Sequence, residues 1–180
     1  GIDAIDGARQ CLNVLHDLDL GVPDNPIFGA ATLTPTAIRS GPTATHTVQD
    51  IAEMTFDRRL LPGEDPDVAF AFIRDALPLN GPWRLDCRRG PFMYPNEVAD
   101  DGPLMTLLRV AYADAGLSAA EKVVCNFALD AGYFSHRGVE AVMLGPGEID
   151  QFHSEEEHVQ VSDMMNMTRV YCALIARIFA

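Results

Sequence analysis

Residues 27 to 64 read IFGAATLTPTAIRSGPTATHTVQDIAEMTFDRRLLPGE, and two strand-like runs lie inside them, 27 to 38 and 45 to 59. The second is read as alternating through Val48, Ile51, Met54 and Phe56. Ser40-Gly41-Pro42 is the turn expected between them, which predicts an antiparallel pair. Upstream, a helix is expected over about 3 to 20, with Ile5, Ala8, Leu12 and Leu15 on one face and Gly21-Val22-Pro23 as its stop. Downstream, Leu61-Pro62-Gly63-Glu64-Asp65-Pro66 breaks the sheet and opens a second helix with Val68, Phe72, Ile73 and Leu77 inward. A further strand is expected within 83 to 89. Helix, strand, strand, helix, strand is a split βαβ unit without its first strand. The chain also enters a helical pattern directly at Gly1, so it reads as one met in the middle of a domain.

Beyond 90 to 102 the character changes. Helix (104 to 115), strand (122 to 126), short helix around Tyr133, strand (139 to 144) and a last helix (162 to 179) alternate, the order of an α/β layer. The expected organisation is therefore a small α+β domain, 1–96, followed by part of an α/β domain, 97–180.

Composition narrows the function classes. The chain has 180 residues, 48% of them hydrophobic, enough for one good core or two small ones. A net charge of -13 opposes binding to nucleic acid or to an anionic lipid surface. No apolar run reaches the roughly 20 residues of a membrane span. Cys11, Cys87, Cys125 and Cys172 are scattered without C-x-x-C spacing, which reads as reduced thiols and a cytoplasmic protein.

G-x-G-x-x-G, G-x-x-x-x-G-K, H-E-x-x-H and G-x-S-x-G are all absent from the sequence, so its chemistry needs another source. His16 lies within the first helix and His136 near a helix end, and both read as structural. His153 differs. It follows the apolar run 139 to 144 and the turn Gly145-Pro146-Gly147, in the kind of loop beyond a strand's carboxyl end where ligands bind in open α/β sheets. By itself one histidine cannot make a zinc site, which takes three or four ligands, and Ser154-Glu155-Glu156-Glu157-His158 behind it also fits a solvated acidic loop.

Three ordered stretches carry a family resemblance. Asp130-Ala131-Gly132, Gly145-Pro146-Gly147 and Gln151-Phe152-His153-Ser154-Glu155-Glu156-Glu157-His158-Val159 resemble the C-terminal signature of the zinc-dependent metallopeptidases and amidohydrolases that include aminoacylase, acetylornithine deacetylase, succinyl-diaminopimelate desuccinylase and carboxypeptidase G. Thr45-His46 and Phe56-Asp57-Arg58-Arg59-Leu60-Leu61-Pro62-Gly63-Glu64 are similar to that family's lid strand, and Gly1-Ile2-Asp3-Ala4-Ile5 to its Gly-Val-Asn-Ala-Ile helix start.

The resemblance implies a ferredoxin-like lid domain, lacking its first strand and used for homodimerisation, followed by the C-terminal part of an α/β zinc-hydrolase domain. It implies two Zn2+ ions per complete site, with Co2+ or Mn2+ as substitutes. His153 matches the family's last metal ligand and Gly145 and Gly147 the wall of its substrate pocket. His46 and Arg59, thirteen positions apart on what is expected to be one extended strand, match its substrate-gripping pair, with Arg58 on the opposite face and solvated. The other ligands and the general base would precede Gly1, so no catalytic residue is expected in this chain and the chain alone is expected to be inactive. Two departures are Glu155 where proline is common and His46 where several relatives have asparagine. The implied activity is hydrolysis of an N-acyl or peptide bond in a small carboxylate-bearing amino-acid derivative. A non-catalytic dimerisation module on a ferredoxin-like scaffold is the competing reading.

Overall fold

The computed structural model describes residues 1–41, 44–119 and 121–180, and the chain divides into two compact units, Gly1–Pro95 and Asn96–Ala180.

In the first unit, helix α1 spans Ala4–His16. Asp3 starts it by accepting the Ile5 and Asp6 N–H groups at 2.9 and 3.3 Å, a cap that contributes about 1 kcal/mol. The helix ends one turn short of the expected Leu20. Asp17 and Asp19 oppose the negative end of the helix dipole, and the Asp19 carboxylate takes the Gly21 N–H at 2.9 Å, which competes with further helix. Its buried stripe is Gly7, Ala8, Cys11 and Leu15. Ile5, expected inward, is exposed. The stripe turns toward Gly7 because the Trp83 indole lies there: a Cβ on Gly7 would stand 3.0 Å from its Cδ2.

Strands β1 (Thr32–Gly41) and β2 (Ile51–Arg59) pair antiparallel, from Thr32 opposite Arg59 to Gly41 opposite Ile51. The register shifts between Pro35 and Ala37, where the proline has no N–H for the ladder. Leu33, Met54 and Phe56 pack toward Cys11, Leu15 and Leu77. The strands begin later than the sequence suggested. Asn25 folds 25–29 into a turn, its side chain accepting the Ile27 and Phe28 N–H groups, so Ile27 is not in a strand. Ser40 and Gly41, expected in a turn, are ladder residues, and Pro42 lies outside the described residues.

Helix α2 (Pro66–Ala76) opens on an Asp65 cap with Pro66 in its first turn. Ile73 and Leu77 join the core, whereas Val68 and Phe72, expected inward, are 69% and 45% exposed. The hairpin is two strands wide and cannot cover a stripe reaching back to the first turn of α2. Residues 83–89 do not form the expected strand. They keep its alternation, with Leu85 and Cys87 on the core and Arg84, Asp86 and Arg88 exposed, but a strand needs a ladder partner about 4.8 Å away and none of the described residues supplies one. Burial pushes the Cys11 and Cys87 thiols above their ordinary range.

The second unit is built on α3 (Pro103–Asp114) and α5 (Val161–Phe179), with a short α4 (Ala131–His136) between them in sequence. Ala111, Tyr112, Met167 and Val170 form the core, closed by Leu144, Ala173 and Leu174. Arg177 grips Asp114 with two hydrogen bonds of 2.7 and 3.0 Å and holds its carboxyl below the usual carboxylate range. Residues 122–126 and 139–144 are not strands either, for the same lack of a ladder. Polar ties hold the second of them instead. Asn96 donates to the Ala141 carbonyl at 2.9 Å, the Glu140 carboxylate accepts the Leu104 N–H at 3.0 Å and so caps α3, and the Tyr171 hydroxyl donates to the Leu144 carbonyl at 2.7 Å. No helix among the described residues is long and apolar enough to cross a membrane.

Candidate functional site

The tie from Tyr171 to Leu144 fixes the point where the chain leaves 139–144 and enters Gly145-Pro146-Gly147. Gly147 turns with φ +104°, a conformation that side-chain-bearing residues rarely adopt, and a Cβ there would meet Val159 Cγ2 at 4.0 Å. Gly145 faces open space. One turn of 3-10 helix (Ile149–Gln151) then leads to His153.

His153 has φ +64° and is the only residue other than glycine with positive φ among those described. The left-handed conformation costs a residue with a Cβ roughly 1–2 kcal/mol, so neighbouring contacts must hold it there. Two do. The His153 N–H donates to Glu157 Oε2 at 3.2 Å, and the imidazole meets the Phe127 ring edge-on at 5.9 Å between centroids. Phe152 stacks on Phe127 at 5.5 Å between centroids. The imidazole is thus oriented by an aromatic pair and a backbone clamp while the residue stays exposed.

Among the described residues no three of His, Cys, Asp and Glu gather closely enough to hold a metal ion. His153 offers one nitrogen, which does not meet the three or four ligands of a zinc centre. These residues do not by themselves fit a metal site.

In the first unit, Arg59 is the last residue of β2 and its side chain is 56% exposed. Asp57, two positions back and on the same face of the strand, binds it through contacts of 3.0 and 2.8 Å. Arg58 points the other way, but it is not solvated as the sequence suggested. Its side chain and that of Glu64 are each 13% exposed and paired.

His46 is exposed and sits in a turn before β2, not on it. The nine residues of β2 span roughly 26 Å at about 3.3 Å per residue, with His46 before Ile51 and Arg59 at the far end. The single extended strand expected to carry both does not exist, because β2 starts five residues after His46. Sequence reasoning also passed over Asp57, which the two-residue strand period places beside Arg59, and Phe127, whose approach to His153 has no local signal.

The profile of peptidase family M20/M25/M40 matches residues 8–177, nearly the whole chain. The chain belongs to this family. Among solved structures it is similar to the aminopeptidase PepT from Bacillus cereus ATCC 10987, with a TM-score of 0.65 at 18% sequence identity. That likeness covers 100% of this chain and 46% of the aminopeptidase, so the chain spans less than half the length of the protein it matches. No curated protein matches it.

Proposed function

We propose that this chain is part of a dinuclear zinc hydrolase that cleaves an N-acyl or peptide bond in a small amino-acid derivative bearing a carboxylate. The observation that carries the reading is His153: within a match to a peptidase family over 8–177, the one described residue that bears a side chain and is held in a left-handed conformation is also the one that resembles the family's last metal ligand.

In this reading 1–96 is the lid and dimerisation domain and 97–180 the C-terminal segment of the catalytic domain. His153 presents an imidazole oriented by Phe127 and by the Glu157 clamp, and it completes a centre whose other ligands come from a longer form of the protein. Zn2+ there, or Co2+ or Mn2+, would polarise the scissile carbonyl and acidify a water. Gly145 and Gly147 let the substrate approach the backbone closely, because a side chain at either position would project into that space. Arg59 takes the substrate carboxylate in the fork geometry of a guanidinium. His46, at the other end of the hairpin, makes a separate polar contact whose strength follows imidazole protonation. The lid pairs two copies into a homodimer. The four free cysteines and the charge of -13 suit a reducing, cytoplasmic setting without nucleic-acid or membrane partners.

The test uses the complete protein and the 180-residue chain side by side, with N-acetyl-L-methionine and L-alanyl-L-alanine as probes. Turnover by the complete protein, lost on chelation and restored by Zn2+, is expected, together with none by the chain alone. Chelator-sensitive turnover by the chain alone overturns the assignment of the remaining ligands elsewhere. A complete protein that holds two zinc ions equally well with His153→Ala overturns the role of His153.

A further inference from the structure

Arg58 and Glu64 form a largely buried pair, each side chain 13% exposed, whose remaining hydrogen bonds go to the backbone on both sides of Leu60. One terminal nitrogen of Arg58 donates to Glu64 Oε1 and the other to the carbonyl of Arg59. The second Glu64 oxygen accepts the Leu61 N–H at 2.6 Å, and the Glu64 N–H donates to the Leu61 carbonyl at 3.1 Å. Leu61 itself is buried. These contacts close a ring that runs from the Arg59 carbonyl through guanidinium and carboxylate to the Leu61 amide.

The ring stands where the sheet stops. Arg59 opposite Thr32 is the last rung of the ladder, so the backbone just beyond it has no strand partner to fix its direction. A buried ion pair is a poor device for stability alone, because desolvating two charges offsets much of their attraction. It is a good device for holding a short piece of backbone in one geometry, since both terminal nitrogens of Arg58 and both oxygens of Glu64 have a fixed place, while Arg58 Nε is buried without a partner among the described residues. Lysine could not do this, having a single nitrogen where Arg58 uses two in a planar fork.

We propose that the Arg58–Glu64 pair is the positioning element for Arg59, setting the direction in which Arg59 presents its guanidinium to a substrate carboxylate. This rests on the reading of Arg59 as the carboxylate-binding residue. The positioning itself does not, and the two are tested separately.

The first arm measures the order of the Arg59 Nε–H group by 15N relaxation in the 180-residue chain, with its signal assigned from Arg59→Lys. Arg58→Met and Arg58→Lys should lower that order, and Glu64→Gln should lower it less, while the Arg177 Nε–H held by Asp114 stays as in wild type. If Arg58→Met does not fold, Glu64→Gln decides by the same readout. Unchanged Arg59 order in a folded variant overturns the proposal, even if the melting temperature falls.

The second arm is kinetic, on the complete protein with N-acetyl-L-methionine. Arg58→Met should raise KM by about 10-fold or more with kcat within twofold, and the effect should vanish in an Arg59→Ala background, as coupling through one side chain requires. An effect that persists undiminished in that background overturns positioning through Arg59. If Arg59→Ala alone leaves kcat/KM unchanged, the substrate reading fails and the relaxation arm still decides the positioning.

Discussion

Arg59→Ala in the complete protein should reduce kcat/KM for N-acyl amino acids by about 10- to 150-fold. Hydrogen bonds to charged groups contribute roughly 1.5 to 3 kcal/mol, and about 1.4 kcal/mol corresponds to each factor of ten. Asp57 sets a deduction from that gross figure. Its carboxylate already lies 2.8 Å from Arg59, so in the proposed site a substrate carboxylate would have to replace a resident one. The resident pair is half exposed, 56% and 41%, and pairs of that kind are worth about 0–1 kcal/mol. The exchange therefore stays favourable, and Asp57→Asn should lower KM by up to about fivefold, opposite in sign to Arg59→Ala. The assay is steady-state hydrolysis of N-acetyl-L-methionine beside its carboxamide, which lacks the charge. Arg59→Ala should erase most of the preference for the acid and leave the carboxamide rate within about twofold. A folded Arg59→Ala protein that still prefers the acid as wild type does would refute the reasoning.

Other expectations follow from the fold. Val170→Ala removes two methyl groups from a fully buried site between α5 and α3 and should cost about 2–3 kcal/mol in urea unfolding, the sum of transfer and cavity contributions. Glu140→Ala leaves the first turn of α3 without its acceptor at Leu104 and should cost about 1 kcal/mol, with faster hydrogen exchange at the Leu104 amide. His153→Gly should be more stable than His153→Ala by about 1 kcal/mol, because glycine adopts φ +64° without a Cβ penalty, while both lose the imidazole. The Asp114 carboxyl is held below 3.8 by the hydrogen bonds of Arg177, so its stabilisation is present above pH 3.8 and lost as pH falls through the lower folded value. Thermal melts of wild type and Asp114→Asn should differ most near neutral pH and converge in strong acid.

What the sequence reveals here is local. Asp65-Pro66 announces α2, and the patterns of 104 to 115 and 162 to 179 locate α3 and α5 to within a residue or so, because caps and helical spacing act within one turn. The segments 83–89, 122–126 and 139–144 show where pattern stops. Their residues specify extended backbone, but a ladder is a property of two segments, and the second is not written in the first. His153 was singled out by its turn and its likeness to a known signature. Its aromatic support from Phe127, twenty-six positions earlier, was not. His46 was misplaced because the loop before β2 has no strong breaker between Thr45 and Ile51. The pairing of Arg58 with Glu64 was hidden because two charges beside a turn look like surface until burial is known.

Trp83 lies against Gly7 of α1, and it is the only tryptophan in the chain. Its indole N–H is buried with no partner among the described residues. Of the four tyrosines, Tyr112, Tyr133 and Tyr171 belong to the second unit and only Tyr94 to the first. The molecule thus carries its own optical labels: indole emission reports the seat of 83–89 on α1, and phenol absorbance follows mainly the α3 and α5 pair. Two melting curves from one cuvette, superimposed or separated, tell whether the two units unfold as one cooperative body or in succession.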